Sequence, residues 1–241
     1  MSHVPTGRQP VGSECVFQVQ QNAEGSIERY KARIVAKSYS QMEDLDDDET
    51  FAPVTRYNSL RLIMSLATDL GLETDLRGMK SVFLNGDLVE EIWMIPPPGI
   101  GLNVKILRLD KALYSHKQAP PMWFETLSEA LAQIGFISRA CDPCVFISEK
   151  HKIIVLVYVD DITTAGSRSD INRLIGQLRS RFKVTGNGSL KYILGIEIKH
   201  RPEGMERSPQ QSITNILSRL GMENCLPVST PMDTKTSLVK V

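Results

Sequence analysis

The sequence predicts an α+β domain on a β-α-β-β-α-β plan, an antiparallel sheet with helices on one face. The first observation is a β-branched apolar run over residues 153–166 that Asp160 and Asp161 interrupt, a pattern typical of two strands joined by a tight turn. The second is a pair of amphipathic helices, predicted over residues 123–134 and 169–182, on either side of this hairpin. A strand predicted before the first helix and another after the second complete the plan.

Asp160 and Asp161 give the hairpin a chemical character. The run before them is apolar on both faces, so we expect an interior strand. Two adjacent carboxylates at the end of a buried strand repel each other, and they resist desolvation unless a cation or hydrogen-bond donors lie opposite. A hard divalent ion such as Mg²⁺ is one reason to keep such a pair. The alternative is that the two aspartates only form a turn, and this stretch alone leaves both open.

The composition limits the class of protein without indicating a nucleic-acid binder. The 241 residues are 41% hydrophobic, and 28 lysines and arginines balance 28 aspartates and glutamates. A surface that binds polyanions must therefore be a local basic patch, balanced by acidic loops such as residues 43–49. The four cysteines, with Cys141 and Cys144 as a C-x-x-C pair, fit structural thiols in a reducing, intracellular setting. No apolar run approaches the length of a membrane span.

Local patterns predict the remaining elements. Alternation predicts a hairpin of two strands at 16–20 and 30–36. Apolar residues at helical spacing predict a helix over 59–70 that ends at Gly71. The other predicted elements are strands at 106–109, 142–147 and 192–198 and a short helix at 213–220.

Several longer blocks in register give a stronger signal than the aspartate pair. Tyr158-Val159-Asp160-Asp161 resembles the YxDD box of reverse transcriptases. The surrounding sequence, from about residue 12 to the end, resembles the reverse transcriptase of copia-type LTR retrotransposons, which is the RNA-dependent DNA polymerase domain of the Pol polyprotein. The blocks that carry this resemblance are residues 29–37, 49–54, 83–88, 117–120, 142–146, 194–198 and 229–232.

The resemblance implies a right-hand polymerase fold with fingers, palm and a truncated thumb. It also implies RNA-directed DNA synthesis by two-metal nucleotidyl transfer, with an RNA or DNA template-primer, deoxynucleoside triphosphates (dNTPs) and Mg²⁺ (or Mn²⁺). The expected partners are other segments of the polyprotein and not a membrane, and the expected location is a cytoplasmic virus-like particle with access to the nucleus. The implied divisions are 12–70 and 87–122 for the fingers, 71–86 and 123–203 for the palm, and 204–241 for the start of the thumb or connection.

Asp160 and Asp161 match the family's aspartate pair, but the family's third metal-binding carboxylate is missing. By resemblance that carboxylate lies on a strand, five positions before the phenylalanine of the Phe-Leu-Asn-Gly block, and this position is Gly78 here. Asp75 is roughly ten ångströms away along an extended chain and on the opposite face of the strand, because the offset is odd. We therefore expect a degenerate copy with impaired activity, in which Gly78 lies beside the aspartate turn.

The resemblance also assigns residues to the nucleotide and to the primer. Two cations would neutralise triphosphate charge, and a phenylalanine would wall the sugar site. Taken alone, the cations fit the solvated face of a hairpin and the phenylalanine fits a core. If the assignment holds, Lys31, Arg33 and Gln118 border one cleft that opens toward Asp160. The full set is Lys31, Arg33, Phe83, Gln118 and Tyr158 for the nucleotide, and Leu194, Gly195 and Glu197 for the primer grip.

Two alternatives come from other classes of protein. The first is a noncatalytic remnant that only binds nucleic acid or a partner, and activity gained by Gly78→Asp would argue against it. The second is another enzyme with a palm fold, such as a nucleotidyl cyclase. The blocks at 83–88 and 117–120 argue against the second alternative.

Overall fold

The computed structural model describes residues 9–21, 26–37, 52–100, 105–190, 192–193, 196–201 and 204–228. The predicted acidic loop at 43–49 and the primer-grip positions Leu194 and Gly195 lie outside these ranges. The chain forms two compact units, Met1–Ser189 and Leu190–Val241. Within the described ranges, no helix combines the length and the apolar character needed to cross a membrane.

Helices and strands alternate through the first unit. Its helices are α1 (Tyr57–Asp69), α2 (Ala119–Gln133) and α3 (Arg168–Arg179). Its strands are β1 (Ser13–Gln21), β2 (Ile27–Ala36), β3 (Glu73–Met79), β4 (Asp87–Met94), β5 (Leu107–Lys111), β6 (Ile137–Arg139), β7 (Asp142–Ser148), β8 (Ile153–Tyr158), β9 (Asp161–Gly166) and β10 (Val184–Ser189). A short 3₁₀ turn, Val82–Asn85, follows β3.

A six-stranded antiparallel sheet in the order β10-β3-β9-β8-β7-β6 organises this unit. In chain order, β3, α2, β8, β9, α3 and β10 follow the predicted β-α-β-β-α-β plan, with β6 and β7 added between α2 and β8. Helices α2 and α3 share one apolar core with the sheet, to which Leu131, Val155 and Leu178 contribute fully buried side chains. Helix α1 also contacts β9, but its buried face is not part of that core. The predicted mixed α+β class is confirmed.

The prediction of a strand at 192–198 is confirmed only in part, because the final strand of the plan is β10. Residues 192–193 and 196–201 form two strands, β11 (Tyr192–Ile193) and β12 (Ile196–Arg201), that pair with each other in the second unit. β10 escaped prediction because Gly186 and Gly188 replace the expected β-branched residues. Both glycines have positive φ, 100° and 91°, and the register with β3 shifts there as in a β-bulge.

Helix α2 begins at Ala119, four residues before the predicted start at Trp123. Pro120 and Pro121 occupy its first turn, where the missing N–H groups would have no helical partner in any case. The prolines therefore start the helix, although the prediction had placed them before it. Trp123 and Leu127 then enter the core on the buried face.

The β1–β2 hairpin has two chemically different faces. Gln18 pairs with Lys31 and Val16 with Arg33 on one face, whereas Phe17 pairs with Ala32 on the other. Phe17 is 78% exposed, so this second face is apolar and solvated. The hairpin joins the rest of the unit at its end, where the Ala36 amide donates to the Tyr114 carbonyl at 3.0 Å.

The second unit is small. β11, β12 and β13 (Gly204–Ser208) form an antiparallel sheet, and α4 (Gln210–Arg219) packs against β12. Ile193 and Ile198 are buried here.

Candidate active site

The turn between β8 and β9 consists of Val159 and Asp160, and two hydrogen bonds from other elements hold it. The Trp123 indole Nε1–H donates to the Val159 carbonyl at 2.7 Å, and the Met79 amide donates to the Asp160 carbonyl at 2.6 Å. Val159 has φ of 52°, an unfavourable conformation for a β-branched residue, so the surrounding contacts determine the turn. The predicted hairpin with an aspartate pair at its tip is therefore confirmed.

Gly78 on β3 is the direct partner of Asp161 on β9. A Cβ at position 78 would lie 3.6 Å from Asp161 Oδ1 and 3.4 Å from Thr185 Oγ1, both ordinary contacts. The Thr185 hydroxyl donates to the Gly78 carbonyl at 3.1 Å. The expected adjacency of Gly78 and the aspartate turn is confirmed, and the position has room for a side chain that points at Asp161.

The charge on Asp161 is costly in this environment. Burial raises the pKa of the Asp161 carboxyl, and the neighbouring negative charge of Asp160 raises it further. Asp160 itself is exposed at the turn. The Asp160–Asp161 pair therefore favours a nearby positive charge.

The residues present do not fit a two-metal centre. Within the described residues, no group of three His, Cys, Asp or Glu side chains is arranged to hold a metal ion. Asp160 and Asp161 supply carboxylates from one strand end, whereas the facing strand supplies Gly78. Mg²⁺ is usually bound through one or two carboxylates together with substrate phosphates, so this pair suits a single ion held with substrate.

Asp75 is committed to an internal ion-pair cluster. Its carboxylate is completely buried and accepts hydrogen bonds from Arg77 Nε at 2.7 Å and from Arg168 Nη1 at 2.9 Å. Arg168 also pairs with Glu73 at the surface. In the ladder Asp75 is opposite Thr164, away from the aspartate turn. Two guanidinium groups therefore already occupy this carboxylate, so it does not replace one at position 78.

A cavity of about 520 Å³ opens beside the aspartate turn. Lys31 and Arg33 line it together with Asp160, so this part of the predicted cleft is confirmed. Gly78 and Phe83 also line it, and Phe83 packs against the sheet core as well. The other lining side chains that bear on its chemistry are Arg29, Lys80, Tyr114 and Thr185, which the sequence analysis did not single out.

Two aromatic rings in edge contact hold one cation on the wall of this cavity. The Arg33 guanidinium lies 5.0 Å from the centre of the Tyr114 ring, a cation–π distance. The Tyr114 ring in turn makes an edge contact with Phe83, with ring centres 5.1 Å apart. Lys31 lies on the same face of the hairpin as Arg33. Burial lowers the pKa of its ammonium group, and the positive charges of Arg33 and Arg29 lower it further. The two cations are therefore crowded and partly desolvated.

Gln118 does not border this cavity, so the predicted cleft is wrong for that residue. Its side chain is buried, and it lines a separate cavity of about 380 Å³ with Pro53, Met122 and Phe124. The reason is local: Gln118 caps α2, and its carbonyl accepts from the Met122 amide at 3.1 Å, which fixes it within the packed start of the helix.

Tyr158, the last residue of β8, is half-buried and does not line the cavity of the aspartate turn.

Glu197 is the one described member of the predicted primer grip. It lies on β12 in the second unit, where it is opposite Tyr192, and its carboxylate is 3.4 Å from Lys199 Nζ. Its assignment to primer binding stays a prediction.

Comparison with known proteins identifies the family. The family model described as reverse transcriptase (RNA-dependent DNA polymerase) matches residues 1–234. The chain is 38% identical over 228 residues to the retrovirus-related Pol polyprotein from transposon RE1 of Arabidopsis thaliana, covering 92% of this chain and 16% of that protein. It is 36% identical over 238 residues to the corresponding polyprotein from transposon TNT 1-94 of Nicotiana tabacum, covering 95% of this chain and 18% of that protein.

A more distant similarity extends to the yeast Saccharomyces cerevisiae. There the transposon Ty1-MR1 Gag-Pol polyprotein is 30% identical over 203 residues, which are 80% of this chain and 12% of that protein.

The chain belongs to the reverse transcriptase (RNA-dependent DNA polymerase) family. Within it, the chain is a reverse transcriptase domain of the copia-type retrotransposon Pol polyprotein, which confirms the resemblance seen in the sequence. It spans less than a fifth of the length of these relatives.

Proposed function

We propose that this chain is a degenerate copia-type reverse transcriptase domain that binds nucleotide and template-primer but transfers nucleotides poorly. The observation that carries the proposal is Gly78, which faces Asp161 at the position where a third carboxylate would complete the site. The cations Lys31 and Arg33 border the same cavity as Asp160, which supports retained binding of a triphosphate.

In this proposal the six-stranded sheet belongs to the palm and the β1–β2 hairpin to the fingers. The proposed division keeps residues 12–70 and 87–122 as fingers, 71–86 and 123–203 as palm, and 204–241 as the start of the thumb or connection. The strand order and the carboxylate-bearing hairpin in the middle of the sheet support it. As a proposal from the family alone, the domain would work beside other polyprotein segments in a cytoplasmic virus-like particle with access to the nucleus.

The reaction of the family joins a primer 3′ oxygen to the α-phosphorus of a dNTP and releases pyrophosphate. Divalent ions, Mg²⁺ or Mn²⁺, supply charge neutralisation to such a transfer. Among the described residues, Asp160 and Asp161 would be the carboxylates placed to hold an ion here, and no step can be derived through a complete metal pair. What the chain's own residues would still do is bind: Lys31 and Arg33 on the phosphates, and Phe83 against the sugar.

A primer-extension assay on the wild type and Gly78→Asp tests the proposal. The metal ions provide several kcal/mol to such a transition state, and each 1.36 kcal/mol is about tenfold in rate, so Gly78→Asp should gain roughly three orders of magnitude. The same gain should vanish when Asp160→Asn is added. Template-primer affinity, measured by titration of a labelled duplex, should change little between wild type and Gly78→Asp because it depends mostly on phosphate contacts elsewhere.

Two results would count against this function. Robust Mg²⁺-dependent incorporation by the wild type would show that the copy is not impaired. No gain in Gly78→Asp, with duplex affinity intact, would favour the noncatalytic remnant that only binds nucleic acid.

A further inference from the structure

The cavity beside the aspartate turn carries an excess of positive charge. Within the part of the chain that the structure describes, its lining includes four cationic side chains, Arg29, Lys31, Arg33 and Lys80, and one carboxylate, that of Asp160. The position on β3 that faces Asp161 contributes no acid to the cavity, because residue 78 is glycine. A third carboxylate there would have offset part of this charge.

Asp160 is the acidic neighbour of these cations, and its negative charge opposes the burial and repulsion that lower the pKa of Lys31. Within the described residues, Lys31, Arg33 and Lys80 form no ion pair with an aspartate or glutamate. Tyr114 holds the Arg33 guanidinium by stacking, at 5.0 Å, which leaves its N–H groups available to a ligand. Burial and the neighbouring positive charges lower the pKa of Lys31, so an anion in the cavity would relieve an existing repulsion.

We propose that this cavity binds the polyphosphate group of a nucleotide, or inorganic tripolyphosphate, without a divalent cation, and that Mg²⁺ weakens this binding. The inference rests on the proposed function in one respect, because it takes this cavity as the nucleotide site. In a complete two-metal site the ions neutralise the phosphates, and the protein carboxylates hold the ions. With Gly78 the hold on the ion is reduced, whereas the cations that attract free phosphate oxygens remain. A Mg²⁺-complexed triphosphate presents less negative charge to those cations.

Isothermal titration with inorganic tripolyphosphate, which has neither sugar nor base, tests the proposal directly. Titrations of the wild type are run in EDTA and again with millimolar Mg²⁺, at low ionic strength because salt screens the attraction. We expect binding in EDTA and an affinity at least about threefold lower with Mg²⁺, since Coulomb attraction falls with ligand charge. Titration with dTTP should show the same direction.

Variants locate the binding. Lys31→Ala and Arg33→Ala should each weaken tripolyphosphate binding about tenfold in EDTA, the loss expected for one charge-assisted contact. Lys150→Ala removes an exposed lysine from the β7–β8 turn, outside the cavity lining, and should bind like the wild type. Thermal melts check that each variant folds, and Arg33→Lys, which keeps the charge and loses the planar guanidinium, should retain part of the affinity.

The variant Gly78→Asp tests the predicted effect of Mg²⁺ most directly. With a third carboxylate facing Asp161, Mg²⁺ should raise tripolyphosphate affinity in this variant and so reverse the sign seen in the wild type. The inference is overturned if the wild type binds only with Mg²⁺, if it does not bind in EDTA, or if Lys150→Ala weakens binding as much as Lys31→Ala. None of these results depends on primer extension, so failure of this inference and failure of the proposed function are distinguishable.

Discussion

Gly78 and Asp161 are direct partners in the β3–β9 ladder, and a Cβ on Gly78 would be 3.6 Å from Asp161 Oδ1. The φ of Gly78 is not in the left-handed region, so a Cβ there meets neither backbone strain nor a steric clash. The missing carboxylate therefore leaves the framework of the site intact.

The first prediction concerns the effect of metal on stability. Gly78→Asp places a third carboxylate beside Asp160 and Asp161, so its melting temperature in EDTA should fall by a few degrees, about 1–2 kcal/mol at roughly 2–4 °C per kcal/mol. Millimolar Mg²⁺ should restore it, because a ligand that binds only the folded state stabilises that state. Gly78→Asn, similar in size and uncharged, should not respond to Mg²⁺. Equal responses of the two variants in differential scanning fluorimetry would contradict the prediction.

The second prediction concerns pH and Asp161. Burial and Asp160 raise the pKa of the Asp161 carboxyl above its unfolded value, so the folded state binds the proton more readily than the unfolded state. The stability linked to this group is fully present below the unfolded pKa, about 3.9, and is lost as pH rises through the folded pKa. Asp161→Asn removes that loss. Its melting temperature should exceed that of the wild type at neutral pH, and the difference should shrink as the pH falls toward the unfolded pKa.

Other carboxylates that titrate in the same range contribute equally to the stability of both proteins, so their effect cancels in the difference between wild type and Asp161→Asn. Asp160→Asn is the matched control for the charge–charge part, because it leaves Asp161 half-buried and removes its charged neighbour. A constant difference between wild type and Asp161→Asn across the acid range would show that the carboxyl is not perturbed.

The third prediction concerns the ion pairs of Asp75. Asp75→Asn leaves Arg77 and Arg168 without the buried anion that accepts from both of them. Breaking a buried charge pair from one side costs about 3–5 kcal/mol, so urea unfolding should show a large loss of stability. Glu73→Gln is the control, because Glu73 pairs with Arg168 at the surface and such pairs contribute about 0–1 kcal/mol. Similar losses in the two variants would place the stabilisation elsewhere.

The fourth prediction concerns Gly188. A Cβ there would lie 2.6 Å from Arg77 Nη2 and 2.7 Å from Asp75 Oδ2, and φ is 91°. Gly188→Ala should therefore strain the backbone and displace the ion pair, costing about 2 kcal/mol or more. Gly176→Ala is the control: a Cβ there meets nothing within 4 Å on helix α3, so alanine should stabilise by about 0.5–1 kcal/mol. Opposite signs in urea denaturation are expected, and equal signs would refute the account.

The β8–β9 hairpin was predictable because its signal is local. The apolar run and the two aspartates lie in one continuous stretch, and the predicted helix after it matches α3 with four buried residues on one stripe, Ile171, Leu174, Ile175 and Leu178. The position of Gly78 opposite Asp161 was also predictable, since the Phe-Leu-Asn-Gly block set its register.

Other features depend on contacts that no local pattern encodes. The bond between Arg168 and Asp75 joins residues 93 positions apart, and helical periodicity says nothing of it. Tyr114 was missed because its role lies in its stacking under Arg33, which the fold alone creates. The bulged strand β10 was hidden by glycines whose positive φ values break the usual strand signature. Gln118 was placed by resemblance in a cleft from which the packed start of α2 excludes it.

The room around Gly78 also has a consequence in the genetic code. Where its codon is GGT or GGC, a single G-to-A transition in the second base changes the residue to aspartate, and the neighbouring atoms leave room for the Cβ of that side chain. A silenced copy of a mobile element with this architecture would thus remain a point mutation away from a complete set of carboxylates. The opposite transition in an active element would remove the carboxylate at this position just as easily, without unfolding the domain and exposing it to degradation.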